Sequence, residues 1–318
     1  MNTANNTAAR VAIVGAGSVG STFAYTLMNS GLAEEIVLID KDRERAEGEV
    51  MDLNHGLFFA PPVNIKAGGY EDCAGARVVV ITAGAAQKPG ESRLDLTARN
   101  ARICRSILDD VLAHTRDAII VMVTNPVDVL TYDAIRHSGL PATQVLGSGT
   151  VLDSARFRYL LSDHCGVDPR NVHAYILGEH GDTEVAAWSM THLAGVPIDR
   201  YCMQCDRCRH GEHREDIVEQ VRQSAYHIIE AKGATCYGIG LALLRIVGAI
   251  LRDENSVLTV STLVNDYGPI EDVCLSIPCV LNRRGIVKQL KVELAAEEMS
   301  ALEESARTLR EFQDSLPD

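Results

Sequence analysis

Short apolar runs alternate with amphipathic stretches of helix length through the first half of the chain. The apolar runs are continuous and of strand length, which is typical of strands buried on both faces. Residues 18–31 and 96–115, between such runs, have helical periodicity. This alternation predicts a parallel sheet with right-handed crossovers and helices on both faces. The apolar runs are RVAIVG (10–15), EIVLID (35–40), RVVVIT (77–82) and AIIVMVTN (118–125).

The pattern changes after residue 148, where we place a domain boundary. The second half is expected to be an α+β domain over residues 149–318, following a doubly wound parallel sheet over residues 1–148. No low-complexity linker separates the halves, so we expect them to pack closely. The predicted elements are helices over 153–164, 214–231, 235–251 and 295–312, a strand over 172–177, and an antiparallel pair over 257–264 and 272–281.

Composition and charge exclude several classes of partner. The chain has 318 residues, of which 46% are hydrophobic and 23% charged, as in soluble globular proteins. A formal charge of −13 argues against nucleic acid or an anionic membrane as a partner. No apolar run is long enough to span a bilayer, and the N-terminus lacks a secretory pattern. We therefore expect a cytoplasmic protein whose nine cysteines are reduced.

Three glycines follow the first predicted strand in GxGxxG spacing. Gly15 permits a tight turn, Gly17 lets the backbone approach a pyrophosphate, and Gly20 allows close helix–sheet packing. Asp40 ends the second strand, where a carboxylate accepts hydrogen bonds from ribose hydroxyls and repels a 2′-phosphate. The motif predicts a Rossmann-type domain that binds NAD rather than NADP. A glycine turn without a nucleotide is the alternative interpretation.

Further polar residues could act on a small ligand at the carboxyl edge of the sheet. Taken singly, each has an ordinary structural explanation, such as a surface ion pair between helix residues three apart. Taken together they include an imidazole, which can donate or accept a proton near neutrality. The candidates are Gln87 and Arg93 on a segment with Pro89 and Gly90, Asn125 after the fourth strand, Asp153 and Arg156 on one helix face, and His180 in LGEHGD (177–182).

Read in order, these motifs resemble the lactate/malate dehydrogenase family, and within it the bacterial type of L-lactate dehydrogenase. The resemblance covers nearly the whole chain. It implies NAD-dependent, reversible reduction of pyruvate to L-lactate by a homotetramer. The matching stretches are VAIVGAGSVG (11–20), MDLNHG (51–56), TNPVDVLTY (124–132), GSGTVLDSARFR (147–158), GEHGD (178–182) and KGATCYGIG (232–240).

The resemblance implies a role for each candidate. His180 would protonate the keto oxygen, and Asp153 would fix the tautomer of its ring. Arg156 would bind the substrate carboxylate bidentately, which a lysine cannot do. Arg93 would stabilise charge on the keto oxygen after a lid closes. Asn125 and Thr235 would complete the substrate pocket. The implied NAD contacts are Gly15, Gly17, Val19, Gly20, Asp40, Arg45, Tyr70, Gly84, Ala85, Ser106, Val123, Asn125 and Ser148.

Gln87 is the residue from which we predict the substrate. Malate dehydrogenases of this family place an arginine here to pair the second carboxylate of oxaloacetate. A neutral glutamine leaves that charge unpaired, which favours pyruvate. Three alternatives stay open: a malate dehydrogenase, a dehydrogenase for a bulkier 2-hydroxy acid such as hydroxyisocaproate, and an NAD-binding relative without catalysis.

A second anion site is implied by Arg158 and His173. They match the pair with which bacterial lactate dehydrogenases bind fructose 1,6-bisphosphate between subunits. A doubly phosphorylated effector favours cationic groups from two chains, which a two-fold interface supplies. The alternative is that Arg158 and His173 are unrelated surface groups.

A cysteine-rich segment, YCMQCDRCRHGEHRED (201–216), departs most from the family pattern. Its C-x2-C spacing with nearby histidines is chemically competent for zinc, but a second ligand pair from a distant segment is missing. We expect a surface loop with reduced thiols and no metal site. The residues concerned are Cys202, Cys205, Cys208, His210 and His213.

Overall fold

The computed structural model describes residues 9–86, 90, 92–203 and 213–316. The strands in this part of the chain are β1 (Arg10–Val14), β2 (Glu35–Ile39), β3 (Asn64–Ala67), β4 (Val78–Ile81), β5 (Ile119–Met122), β6 (Val145–Gly147), β7 (Val172–His173), β8 (Ile176–Leu177), β9 (Val185–Ala186), β10 (His192–Leu193), β11 (Val196–Pro197), β12 (Ser256–Val264), β13 (Val273–Asn282) and β14 (Gly285–Gln289). The helices are α1 (Ser18–Ser30), α2 (Arg43–His55), α3 (Arg93–Leu112), α4 (Val127–Ser138), α5 (Val151–Cys165), α6 (Ile198–Cys202), α7 (Arg214–Lys232), α8 (Tyr237–Leu251) and α9 (Ala296–Asp314).

A nine-stranded sheet runs through both halves of the chain. Its order is β14-β13-β12-β6-β5-β4-β1-β2-β3. Strands β1 to β6 pair in parallel, which confirms the predicted doubly wound sheet. The predicted antiparallel pair is also present as β12 and β13. It extends the same sheet, because Ser261 of β12 pairs with Gly147 of β6.

The six long helices predicted from periodicity are present, each within three residues of its expected bounds. The elements missed by the prediction are short or polar. Strands β3, β6 and β14 have three to five residues, and α2 has few apolar positions. Helix α4, which begins directly after Pro126, was also missed.

The single strand predicted over 172–177 is wrong. The structure has two short strands there, β7 in a three-stranded sheet and β8 paired with β9. Side chains of α5 form hydrogen bonds with the backbone at this break. Arg158 Nε donates to Ala174 O at 2.8 Å, and Ile176 N donates to Ser154 Oγ at 2.9 Å. These bonds replace the ladder that a continuous strand would need.

The core follows the alternation of side chains across the sheet. Along β1, Val11 and Ile13 face one apolar layer, and Ala12 and Val14 face the other. A third cluster lies beneath α5 and α7, centred on the fully buried Phe157. None of the helices described is long and apolar enough to cross a membrane.

The fold brings several chain segments to one edge of the sheet. In a parallel sheet, the loops that follow the carboxyl ends of the strands share an edge. The glycine loop after β1 and Asn125 after β5 lie there. The loop after β8, which carries His180, is attached to the sheet because Gly178 N donates to Ser276 O of β13 at 2.9 Å.

Candidate active site

The glycine loop after β1 forms a cradle that side chains would fill. Gly15 has a φ of +111°, a region that glycine alone enters freely. A Cβ added at Gly20 would lie 1.8 Å from Gly15 O, so the helix and the loop are in direct backbone contact. A Cβ added at Gly17 would meet nothing within 4 Å. The backbone of Gly17 therefore faces open space, at the start of α1, as a pyrophosphate site requires.

Asp40 closes this loop. Its Oδ2 accepts a hydrogen bond from Ala16 N at 2.7 Å, and its Oδ1 accepts one from Asp42 N at 2.9 Å. The half-exposed carboxylate thus lies beside the cradle at the end of β2. A negative charge in this position suits free ribose hydroxyls and disfavours a 2′-phosphate. The residues present fit NAD.

The other predicted NAD contacts lie around the same edge. Val19 is in the first turn of α1, Tyr70 follows β3, and Gly84 and Ala85 follow β4. The remaining ones are Val123 and Asn125 after β5, the buried Ser148 after β6, and Arg45 and Ser106, which are exposed on α2 and α3. Their individual contacts with the dinucleotide stay predictions.

Asp153 joins two cationic side chains. The carboxylate is 2% exposed on the first turn of α5. Its Oδ2 lies 2.5 Å from His180 Nδ1, and its Oδ1 accepts a hydrogen bond from Arg156 Nη1 at 2.7 Å. This geometry leaves His180 Nε2 and the rest of the Arg156 guanidinium for a ligand. The structure therefore brings these three predicted residues together.

The buried partners set the charge of His180. Burial alone would lower the pKa of His180, but the charge and hydrogen bond of Asp153 raise it to about 9. Burial would raise the pKa of Asp153, and its contacts with His180 and Arg156 lower it instead. At neutral pH the ring is an imidazolium and its partner a carboxylate. The site can therefore donate a proton.

A cavity of about 290 Å³ opens onto this group. Its polar wall includes Asn125, Arg156 and His180, and its apolar wall includes Val221 and Ile229 of α7. The cations Arg156 and His180 beside apolar side chains suit a small anion with an apolar end. Thr235 lies between α7 and α8, outside the residues that line this cavity, and its predicted contact stays a prediction. Gln87 lies outside the described residues.

Arg93 lies at the rim of the cavity. It is the first residue of α3, and its Nη1 lies 2.9 Å from Asp182 Oδ2. Tyr226 of α7 donates to the other oxygen of Asp182 at 3.1 Å. The Arg93 and Asp182 side chains are both more than half exposed. Arg93 is therefore paired at the entrance of the cavity that it lines, and its predicted contact with a ligand stays a prediction.

Four charged residues of the cavity wall were missed as site residues in the sequence, namely Glu179, Asp182, Glu184 and Arg222. Glu184 is 3% exposed, and burial with the nearby charge of Asp153 raises its pKa to about 8. Arg222 of α7 donates to Glu184 O at 3.1 Å. The sequence signal that could have indicated Arg222 is its spacing from Tyr226, which lies four residues later on the same face of α7. Glu184 gave no signal beyond its place in the loop of His180.

Arg158 and His173 line a second cavity, of about 510 Å³. The Arg158 guanidinium lies over the Tyr175 ring, with 5.0 Å between its carbon and the ring centroid. His173 is exposed on β7, and Arg245 of α8 lies on the same wall. The predicted pair is thus brought together with Arg245. Its occupant stays a prediction.

The cysteine-rich segment is described only at its ends. Cys202 ends α6 and His213 precedes α7, with its ring centroid 5.5 Å from that of His164. Cys205, Cys208 and His210 lie outside the described residues. Within the part of the chain that the structure describes, no three potential ligands group together as a metal site would require.

Comparison with known proteins matches each half of the chain to a domain of one family. Residues 9–147 match the NAD binding domain of lactate/malate dehydrogenase, and residues 150–315 match its alpha/beta C-terminal domain. The L-lactate dehydrogenase of Acetivibrio thermocellus is 54% identical over 97% of each chain. That of Treponema denticola is 52% identical over 95% of this chain and 96% of its own.

Solved structures agree with these sequence matches. A lactate dehydrogenase from a Medee basin deep-sea metagenome library superimposes with a TM-score of 0.95 at 46% identity, over 97% of this chain and 98% of its own. The minor L-lactate dehydrogenase of Enterococcus mundtii, in a ligand-bound form, gives 0.95 at 43% identity, over 98% and 99%.

The charge state of His180 is directly measurable. Titration by NMR of isotope-labelled histidine should give a pKa of about 9, against an ordinary 6.5. Asp153→Asn should lower it by about 2 units, because a neutral amide no longer stabilises the imidazolium. The raised pKa also stabilises the folded chain below pH 6.5, and this stabilisation is lost as the pH rises through about 9.

The spectrum of His180→Gln identifies the resonance of His180, because that signal is absent from the variant. A wild-type signal that titrates near 6.5, unchanged in Asp153→Asn, would contradict the electrostatic description of the site.

Proposed function

The chain belongs to the lactate/malate dehydrogenase family, and from this membership we propose that it is an L-lactate dehydrogenase that interconverts pyruvate and L-lactate. NAD is the cofactor. The observation that carries the proposal is the buried group formed by His180, Asp153 and Arg156 on the wall of one small cavity. Relatives at about half identity over nearly the full chain bear the name L-lactate dehydrogenase.

Substrate binding is proposed to depend on Arg156. Its Nη1 is held by Asp153, which orients the planar guanidinium and leaves its other N–H groups for the carboxylate of pyruvate. The methyl group of pyruvate would then lie toward the apolar wall formed by α7. A buried, preoriented arginine binds a carboxylate more tightly than an exposed one because little rotamer entropy remains to be lost.

Proton transfer is proposed to run through His180. In the reductive direction Nε2 of the imidazolium donates its proton to the keto oxygen, and NADH, when bound, supplies the hydride. The neutral imidazole that results stays hydrogen-bonded to Asp153 through Nδ1. In the oxidative direction the same nitrogen accepts the hydroxyl proton of L-lactate.

The keto oxygen becomes negative as the reaction proceeds. We propose that Arg93 exchanges Asp182 for this oxygen when the substrate is bound. Asn125, exposed on the cavity wall at the end of β5, would donate a further hydrogen bond. Both would donate to the oxygen on which negative charge develops, the position where such donors stabilise the transition state most.

The alternatives differ in the substrate they require. A malate dehydrogenase needs a cation for the second carboxylate of oxaloacetate, and Gln87 is neutral. An NAD-binding relative without catalysis has no use for a buried His–Asp pair that raises a pKa. We therefore favour L-lactate dehydrogenase, with Gln87 and Thr235 as proposed substrate-binding residues and the division between the domains near residue 148.

The second cavity is proposed to bind fructose 1,6-bisphosphate. Arg158 and Arg245 give it two cations, His173 lies with them, and its apolar residue Leu241 is largely exposed. An exposed apolar side chain beside cations suits an interface between subunits. We propose a cytoplasmic homotetramer in which the bisphosphate binds between protomers and favours the active state.

Substrate preference tests the proposed activity. With NADH, kcat/KM for pyruvate should exceed the values for oxaloacetate and 2-oxoisocaproate. Gln87→Arg should shift the oxaloacetate-to-pyruvate ratio upward by about 10- to 100-fold, since a hydrogen bond to a charged group contributes about 1.5–3 kcal/mol. The measurement is steady-state NADH oxidation. Gln220→Arg, which adds the same charge to an exposed position of α7, is the control.

An unchanged ratio in Gln87→Arg would reject the assigned role of this residue. Absence of NADH oxidation with pyruvate at any concentration would reject the proposed activity itself.

The effector proposal is tested separately. Fructose 1,6-bisphosphate should lower the pyruvate concentration for half-maximal rate by about tenfold, within the usual range of allosteric coupling. Arg158→Gln should abolish this response, because it removes one of the cations that face the phosphates. Superimposable saturation curves with and without the bisphosphate in the wild type would remove the effector from the account.

A further inference from the structure

A second carboxylate contacts the residue proposed to transfer the proton, and the mechanism above makes no use of it. Asp128 lies in the first turn of α4, three residues after Asn125, and is 1% exposed. Its Oδ2 accepts a hydrogen bond from the backbone N of His180 at 2.7 Å. The Ser261 side chain of β12 is the other hydrogen-bonding group at this carboxylate.

Such a carboxylate is costly to bury, so its contact with His180 needs a reason. Burial, with the charge of Glu179 nearby, raises the pKa of Asp128 to about 6. The hydrogen bond of Ser261, followed by the hydrogen bond and charge of His180, opposes that rise. Asp128 is therefore ionised at neutral pH. Cys274 of β13 is the other titratable group near it, and burial raises the pKa of that thiol well above its usual value.

His180 is thus held at two points by two helices. Asp153 of α5 binds the ring, and Asp128 of α4 binds the main chain that carries the ring. The groups that set the charge of the imidazole are Asp153 and Asp128, which favour its protonated form, and Arg156, which disfavours it. Glu184, on the same loop, is a further titratable group near the ring, and the charge of His180 opposes the rise of its pKa.

We infer that Asp128 is a positioning residue for His180: its carboxylate fixes the main chain beneath the imidazole, and its negative charge helps to keep the ring protonated. This role rests on the proposed function, in which His180 is the proton donor. It also connects α4, which directly follows the substrate-facing Asn125, to the loop of His180.

Two substitutions separate the hydrogen bond from the charge. Asp128→Asn keeps an oxygen that can accept from His180 N but removes the charge. It should lower the pKa of His180 by about 1 unit, as loss of one nearby opposite charge does. Asp128→Ala removes both, and should also lower kcat by about 10-fold or more, because the ring loses its fixed position.

The pH dependence of activity gives the second readout. Below about pH 6 Asp128 is protonated, so Asp128→Asn and the wild type should have similar kcat/KM for pyruvate. Above about pH 9 the variant should be roughly tenfold slower, since one pKa unit changes the protonated fraction by that factor. The control is Asp133→Asn, which removes another buried carboxylate of α4, one paired with Arg105 rather than with His180. It should leave the titration of His180 unchanged.

Histidine titration by NMR keeps this inference distinct from the proposed function. If no variant and not even the wild type reduces pyruvate, the proposed function fails, and the NMR titration still decides the role of Asp128. Lowered His180 pKa values in Asp128→Asn and Asp128→Ala, with no change in Asp133→Asn, support the role. Identical His180 titrations in wild type and Asp128→Asn, with native circular dichroism in both, would overturn it.

Discussion

One buried carboxylate, that of Asp153, holds an imidazolium on one oxygen and a guanidinium on the other. Two cations side by side in a largely buried site would repel each other and lose hydration. The carboxylate between them offsets both effects and fixes the orientation of each side chain. The proposed binding of a 2-oxo acid and the proposed proton transfer both depend on this arrangement, because Arg156 is proposed to bind the carboxylate of the ligand and His180 its keto oxygen.

The sheet supports this group from several directions. Helix α5 begins shortly after β6 and presents Asp153 and Arg156 on one face. The loop of His180 is attached to β13 through Gly178 and to α4 through Asp128. These elements are far apart in sequence, so the site exists only in the folded chain. The glycine cradle after β1 lies at the same edge, which places a dinucleotide beside the cavity.

Much of this could be predicted from the sequence, because its signals are local. The GxGxxG spacing, the strand ended by Asp40 and the three-residue separation of Asp153 and Arg156 each describe one segment. The contact of Asp128 with His180 spans 52 residues, and no periodicity indicates it. The broken strand over 172–177 was missed for the same reason, since side chains of another element interrupt its ladder. The position of Arg93 on Asp182 likewise depends on tertiary packing.

The most direct test is a crystal structure with NADH and oxamate, an unreactive analogue of pyruvate. The amide carbonyl oxygen of oxamate takes the place of the keto oxygen of pyruvate. The account predicts that His180 Nε2 lies within hydrogen-bond distance of this oxygen, and that Arg156 forms paired hydrogen bonds with the carboxylate of oxamate. An imidazole turned away from the analogue, or a carboxylate bound elsewhere than at Arg156, would contradict it.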